Sequence, residues 1–202
     1  LENPNINDTM RQQFLERSYA QSQRLTSLLQ DISTLNRMDD APEITTQEHV
    51  DIANMVANIQ KETALQLQEK HMTFVNRLPA DLVICGNGSL VYSIFRNLTD
   101  NAIAYAGIGT TITLTAQFVQ TNMEDNGKWH FCFSDNGVGV APEHLQRLFE
   151  RFYRVDKGRS RKMGGTGLGL AIVKNAVILH GGTINVHNND GGGLCFEFTL
   201  RA

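Results

Sequence analysis

Two asparagines four residues apart, Asn97 and Asn101, are followed by Ala104 and Tyr105. Offsets of four, seven and eight fall on one face if the segment is helical. Asparagine is a mediocre helix former, so two on one stripe ask for a reason. Their amide oxygens suit a hard cation such as magnesium, which takes few protein ligands and keeps water or phosphate oxygens. They also fit the polar rim of a half-buried helix. Asp135-Asn136-Gly137-Val138-Gly139 follows an apolar run. A carboxylate there can accept from an exocyclic amine, which favours adenine over guanine, and the glycines leave room for a flat base. Asn-Gly is equally a tight-turn signal.

Gly164-Gly165-Thr166-Gly167-Leu168-Gly169-Leu170 leads into an apolar run that ends at Gly181-Gly182. Glycine permits close backbone approach, and the free N–H groups of a helix start favour a phosphate. A loop entering a core helix reads the same way. The stretch lacks the Gly-Lys-Ser/Thr ending of a Walker A loop. Arg151, Arg154, Lys157, Arg159, Arg161 and Lys162 lie between the two glycine motifs. They read either as a solvated loop or as a lid whose cations meet phosphate charge.

The elements that position these residues follow from periodicity. A helix runs from about Asp8 to Met38, capped by Asn7 or Asp8. Phe14, Leu25, Leu28, Ile32 and Leu35 lie near a heptad seam, with Ser18 and Gln21 weakening its middle. One such helix cannot bury its own stripe. Its partner is expected outside this sequence, with packing on the following domain as the alternative. Pro42 marks a boundary. A short strand is expected over 44–50, then a helix capped by Asp51, strands over 71–78 and 82–85, and a helix from about Ser89 to Tyr105. Thr110 to Val119 alternates, with Ile112, Leu114, Ala116 and Phe118 on one face. A polar loop over 121–128 leads to a strand over 129–134. A short helix is expected over 142–149, and strands over 183–187 and 194–200. Helices layered on one face of a mixed sheet fit this order better than a doubly wound parallel fold.

The chain has 202 residues and a net charge of −3, so no basic field argues for nucleic acid. No apolar run approaches the roughly 20 residues of a membrane span, so no direct membrane contact is expected, and Leu1 opens no signal-peptide pattern. Cys85, Cys132 and Cys195 form no Cys-x-x-Cys pair, which points to neither a disulfide framework nor a zinc site and fits a reducing, cytoplasmic compartment. Leu1-Glu2-Asn3-Pro4-Asn5 reads as a connecting loop, so a fragment is expected.

Four motifs arrive in order: Asn97-Leu98-Thr99-Asp100-Asn101-Ala102, Asp135-Asn136-Gly137-Val138-Gly139, Leu148-Phe149-Glu150-Arg151-Phe152-Tyr153-Arg154, and Gly165-Thr166-Gly167-Leu168-Gly169-Leu170. They resemble the N, G1, F and G2 boxes of sensor histidine kinases of two-component systems, and His180-Gly181-Gly182-Thr183-Ile184 fits the same pattern. The resemblance implies a two-layer α/β sandwich of the GHKL type, a mixed sheet covered by helices on one face, preceded by one long helix. Residues 1–40 resemble part of the dimerisation and phosphotransfer region, its second helix ending in Leu35-Asn36-Arg37-Met38. Residues 43–202 resemble the catalytic ATP-binding domain.

The resemblance also implies roles. Asn101 would bind Mg2+, and Asn97 would lie beside the ATP phosphates and the incoming histidine. Tyr105 would line the pocket, and Asp135 would take the adenine amine, with Gly137 and Gly139 making space. Phe149 and Phe152 would anchor the lid, and Arg154 would approach the γ-phosphate. Gly165, Thr166, Gly167, Leu168 and Gly169 would present the phosphate end and the hinge. Implied partners are a response-regulator receiver domain and a second copy through the helix over 8–38, in a full-length protein anchored in the bacterial inner membrane. Two departures stand out. Ala104 replaces a common phosphate-binding cation, which leaves a degenerate nucleotide-binding module as an alternative beside other GHKL proteins such as an anti-sigma serine kinase or an ATPase clamp. None of His49, His71, His130, His144, His180 and His187 has the phosphoacceptor context, so that histidine is expected upstream. The fragment should bind ATP without phosphorylating itself.

Overall fold

The computed structural model describes residues 7–40, 47–120, 127–155 and 165–202. A long helix, α1 (Asp8–Asp40), comes first. Then follow β1 (Glu48–Asp51), α2 (Ile52–Glu69), β2 (Thr73–Arg77), β3 (Val83–Gly86), α3 (Gly88–Tyr105), β4 (Thr111–Val119) and β5 (Lys128–Asp135). The chain ends with α4 (Pro142–Leu145), α5 (Gly169–Leu179), β6 (Ile184–Asn188) and β7 (Leu194–Arg201). The main sheet has the order β2-β4-β5-β7-β6, and β1 pairs with β3 in a separate ladder. Only β2 and β4 pair in parallel within the main sheet, so it is mixed.

Alternation decides which face of the sheet is covered. Ile112, Leu114, Phe131, Phe133, Phe196 and Phe198 point to one side and are buried. Register sets Phe131 opposite Phe198 and Phe133 opposite Phe196. The Phe131 and Phe198 rings stack with centroids 5.0 Å apart, and Phe95 of α3 meets Phe131 edge-on at 5.5 Å. Helix α3 packs on α5 and α2, and together they cover this face. Asp51 caps α2 by accepting from Asn54 N at 2.8 Å, and Asn87 caps α3 by accepting from Leu90 N at 3.1 Å. At the far end of β4 the alternation persists but the cover thins, and Phe118 is exposed.

The expected helix over 142–149 stops at Leu145. Beyond it Arg147 N bonds His144 O, Leu148 N bonds Leu145 O and Glu150 N bonds Arg147 O, a run of i→i−3 turns in place of an α-helix. The tighter winding turns Phe149 inward, its ring 6.3 Å edge-on from Phe196.

The first helix divides its seam. Met10, Phe14, Leu15, Tyr19, Leu25 and Leu29 are exposed, while Leu35 and Met38 are buried in the common core and Leu28 and Ile32 lean against it. The C-terminal turns therefore pack on α5, as the alternative reading held, and only the first half lacks cover in this chain. The boundary expected at Pro42 lies outside the described residues. Among the described residues no helix is long and apolar enough to cross a membrane.

His180 ties the end of α5 to the start of α3. Its Nδ1 donates to Ala176 O at 2.7 Å and its Nε2 accepts from Asn87 N at 3.1 Å. Burial holds the imidazole neutral by pushing its pKa below 6.5. The unfolded chain binds that proton more readily, so this contribution to stability is present above the unfolded value and lost as pH falls towards the folded one. We expect the wild type to lose thermal stability relative to His180→Gln on acidification below about pH 6.5, since glutamine keeps one donor and one acceptor without titrating. Parallel melting curves of the two proteins across that range check this.

Candidate functional site

Helix α3 sets the base of the site. Asn97 and Asn101 are half-buried and Tyr105 is exposed, all on the rim of a helix whose other side carries the buried Ile94, Leu98 and Ala102. The Asn97 amide donates to Ser93 O at 2.8 Å, and its oxygen is turned towards Gly169. Asn101 makes no side-chain hydrogen bond with a described residue, so its amide oxygen is available to a cation. Its neighbour Asp100 is engaged by Arg96 Nε at 2.9 and 3.1 Å.

The glycine stretch lies along the same stripe. A Cβ on Gly169 would stand 2.6 Å from Asn97 Oδ1, and one on Gly165 would stand 3.1 Å from the Tyr105 hydroxyl. Asn97 and Tyr105 are about 12 Å apart along the helix axis, close to the reach of four extended residues. Gly165 to Gly169 thus runs antiparallel to α3 with a bend at Gly167, its ends placed against Tyr105 and Asn97. Gly167 adopts φ +77 and its carbonyl accepts from Phe152 N at 2.8 Å. Phe152 itself has φ 63, a conformation that costs a side-chain-bearing residue on the order of 1–3 kcal/mol. Its ring is 60% exposed, so Phe152 holds the loop through its backbone while Phe149 anchors it through packing. Leu168 is fully buried and begins α5 by accepting from Ile172 N at 2.9 Å. Its side chain is core, and only its backbone can face a ligand. No side chain caps α5, and its first N–H groups point at the loop.

Arg154 stands over this line. Its guanidinium NH2 is 3.6 Å from the point a Gly165 Cβ would occupy, next to Tyr105. Its Nε and NH2 are buried and have no hydrogen-bond partner among the described residues. A buried cation without an acceptor is costly, and a phosphate oxygen is the acceptor it fits. Arg151, grouped above with the phosphate-facing cations, is instead paired with Asp39 of α1 at 2.8 Å. Lys157, Arg159, Arg161, Lys162 and Gly164 lie outside the described residues.

Asp135 sits at the end of β5, opposite Ile112 on the covered face and only 7% exposed. Its carboxylate accepts from Gly137 N at 2.9 Å and from the Leu194 backbone. Burial raises its pKa and those two bonds pull it back. The two glycines after it are accounted for by the protein's own packing. A Cβ on Gly137 would stand 2.2 Å from Ala106 O, and one on Gly139, at φ +66, would stand 2.6 Å from Asn188 Oδ1. The space they leave is filled by Ala106 and Asn188 rather than by a base. Asn136 closes the turn, its Oδ1 accepting from Thr111 N at 2.6 Å.

Sequence reasoning missed Asp31. The Thr166 hydroxyl donates to its carboxylate at 2.6 Å and itself accepts from Leu168 N at 3.2 Å. The glycine stretch is thereby tied to α1, and burial raises the Asp31 pKa against the pull of that bond. Two clefts are present. One of about 490 Å³ is walled by α1 residues between Thr26 and Arg37, and is helix surface. The other, of about 420 Å³, is lined by Asp135 and Asn136 together with Thr111, Thr113, Ser134 and Gly192. Neither reaches the α3 stripe, which the glycine stretch covers.

Comparison with known proteins agrees with this arrangement. Residues 86–202 match the family described as histidine kinase-, DNA gyrase B-, and HSP90-like ATPase. The sensor-like histidine kinase SenX3 of Mycolicibacterium smegmatis is 32% identical over 193 residues, covering 96% of this chain and 48% of that protein. The phosphate regulon sensor protein PhoR of Haemophilus influenzae is 31% identical over 197 residues, covering 97% of this chain and 44% of that one. The chain thus spans about half the length of these relatives. Full-length ShkA, solved in complex with AMPPNP, superposes with TM-score 0.75 at 26% identity over 99% of this chain and 40% of its own. The elements named above, α3 with its asparagines, the Asp135 turn and the glycine entry to α5, all fall within the matched residues, and the chain belongs to the histidine kinase-, DNA gyrase B- and HSP90-like ATPase family.

Proposed function

We propose that this chain is the ATP-binding catalytic part of a sensor histidine kinase, which passes the γ-phosphoryl group of Mg-ATP to a histidine for relay to a response-regulator aspartate. Its relatives are sensor kinases, and the residues fit the ligand. Asn101 offers an oxygen to Mg2+, Asp135 offers a buried acceptor to the adenine amine, and the start of α5 offers N–H groups to phosphate. Bound magnesium supplies charge neutralisation of the phosphates. The chain's part is to hold the nucleotide in line and place Arg154 against the terminal phosphate. The phosphorus–oxygen bond to ADP breaks with its electron pair left on ADP, and a bond to the imidazole nitrogen forms. His180 is buried and hydrogen-bonded at both ring nitrogens, and none of the other five histidines is followed by an acidic residue, so we assign the acceptor role to another histidine. The exposed first half of α1 is the face for a second copy. Residues 1–40 read as the end of the dimerisation region and 43–202 as the catalytic domain.

The observation that carries this reading is the pair of buried Arg154 nitrogens, Nε and NH2, that have no hydrogen-bond partner among the described residues and lie beside Gly165 and Tyr105. Calorimetry with AMPPNP and magnesium tests it. Arg154→Ala is expected to weaken AMPPNP about 10- to 100-fold, the range of one charge-assisted bond, with a smaller loss for ADP. Equal losses for the two nucleotides would place Arg154 away from the terminal phosphate. No binding by the wild type would favour a degenerate scaffold.

A further inference from the structure

The helix-free face of the main sheet carries a second cluster. Strands β5, β7 and β6 lie side by side. Register sets Cys132 opposite Glu197, and Cys195 opposite Ser134 on one side and His187 on the other. These positions alternate with Phe131, Phe133 and Phe196, so they face away from the helices. Cys132 Sγ lies 2.9 Å from Cys195 Sγ, and His187 Nδ1 lies 3.9 Å from Glu197 Oε2. One ligand atom each from His187, Cys195 and Glu197 fall within 4.8 Å of one another. An imidazole nitrogen, one sulfur and a carboxylate oxygen thus converge on two strands, and the Cys132 sulfur of the third stands beside the Cys195 sulfur. Cys195 is buried at the floor, and the exposed Glu197 leaves a way in.

Two chemistries could join such thiols. Cys132 and Cys195 are diagonal neighbours, not directly opposed residues. Diagonal Cα atoms of an antiparallel pair stand about 7–8 Å apart, beyond the roughly 7 Å at which a disulfide closes without moving the backbone. A metal ion needs only side-chain rotation, which opens the sulfurs from 2.9 Å to the roughly 3.8 Å set by two tetrahedral bonds of about 2.3 Å.

We propose that Cys132, Cys195, His187 and Glu197 form a site for one thiophilic divalent cation, zinc before magnesium, on the sheet face opposite the nucleotide stripe. Mixed sulfur, nitrogen and oxygen donors in tetrahedral number are a zinc set. The bound ion would staple β6 and β5 to the central β7.

The test uses the full chain, reduced with a phosphine and free of nucleotide, titrated with zinc against a chromophoric chelator. One equivalent should bind with a rise in melting temperature, and cobalt in its place should show thiolate-to-metal charge-transfer absorption. His187→Ala and Cys132→Ser should each lower zinc affinity at least tenfold. His187 is at the surface, so its variant does not threaten the fold, and Cys85→Ser should leave affinity unchanged. The proposal is overturned by sub-stoichiometric zinc, by a cobalt spectrum without the thiolate band, or by wild-type affinity in His187→Ala. A Cys132–Cys195 disulfide in protein isolated under reducing conditions also overturns it.

Discussion

Asp135→Asn is expected to weaken AMPPNP binding by about 10- to 150-fold, the span of a lost hydrogen bond to a charged group. The carboxylate is an acceptor at both oxygens, already desolvated, and held by Gly137 N and the Leu194 backbone. An exocyclic amine reaching it meets a carboxylate already largely withdrawn from solvent. Asparagine turns one of those oxygens into a donor, so either the amine or a backbone N–H loses its partner. Discrimination against the guanine analogue should shrink with it. The same substitution has a signature without nucleotide. Burial raises the folded pKa of Asp135, so the folded chain binds that proton more tightly than the unfolded chain. Stability from this group is fully present below the unfolded value of about 3.9 and is lost as pH rises through the folded value. The wild type should therefore gain thermal stability relative to Asp135→Asn as pH falls into the acid range, while losing its advantage in nucleotide affinity once the carboxylate is protonated. Calorimetry at neutral pH and paired melting curves in acid read the two halves separately. Unchanged affinity in the variant would remove Asp135 from the base site.

Periodicity makes faces legible and leaves neighbours hidden. The stripe of Asn97, Asn101 and Tyr105 could be read from offsets alone, and α3 places it on the helix rim. The alternation of β4 is legible in the sequence, and β5 repeats it, which sets Asp135 among buried residues because Asp135 continues the phase of Phe131 and Phe133. Strand order is not periodic. Nothing local says that β7 lies between β5 and β6, so residues as distant as Cys132, His187 and Cys195 cannot be seen to meet. The Thr166–Asp31 and Arg151–Asp39 pairs are hidden for the same reason, since each joins the loop before α5 or after α4 to the opening helix. Glycines misled in a different way. Their spacing around Asp135 has the same appearance whether the vacated volume goes to a ligand or to Ala106 and Asn188, and only the packed chain separates the two. The end of α4 was misjudged because residues 146–149 retain helical composition while their hydrogen bonds tighten to i→i−3.

Gly182→Ala and Gly169→Ala should separate the glycines that hold the fold from those that serve the site. A Cβ on Gly182 would stand 1.8 Å from Thr199 O and 2.9 Å from its carbonyl carbon. Both are backbone atoms of β7, and Thr199 is bound on both sides of the turn: its N–H donates to Thr183 O and its hydroxyl accepts from Thr183 N, each at 2.9 Å. Neither partner can withdraw without unpairing the start of β6. The cost is that of severe overpacking, about 3 kcal/mol or more, which lowers the melting temperature by roughly 10 °C in a chain of this size. A Cβ on Gly169 meets only Asn97, 2.6 Å from Oδ1 and 3.3 Å from Cγ. The end of a side chain can turn away, and alanine is the better residue in the first turn of a helix by up to about 1 kcal/mol, so stability should change by less than that. The displaced Asn97 leaves Ser93 O and swings towards the space the phosphates need, and the new methyl narrows the approach to the N–H groups of α5. AMPPNP affinity should fall at least tenfold in Gly169→Ala with the melting temperature nearly unchanged, whereas the Gly182→Ala protein that remains folded at low temperature should bind AMPPNP as the wild type does. A cold, stable Gly169→Ala protein with full affinity would mean that the stretch between Gly165 and Gly169 is a core entry and nothing more.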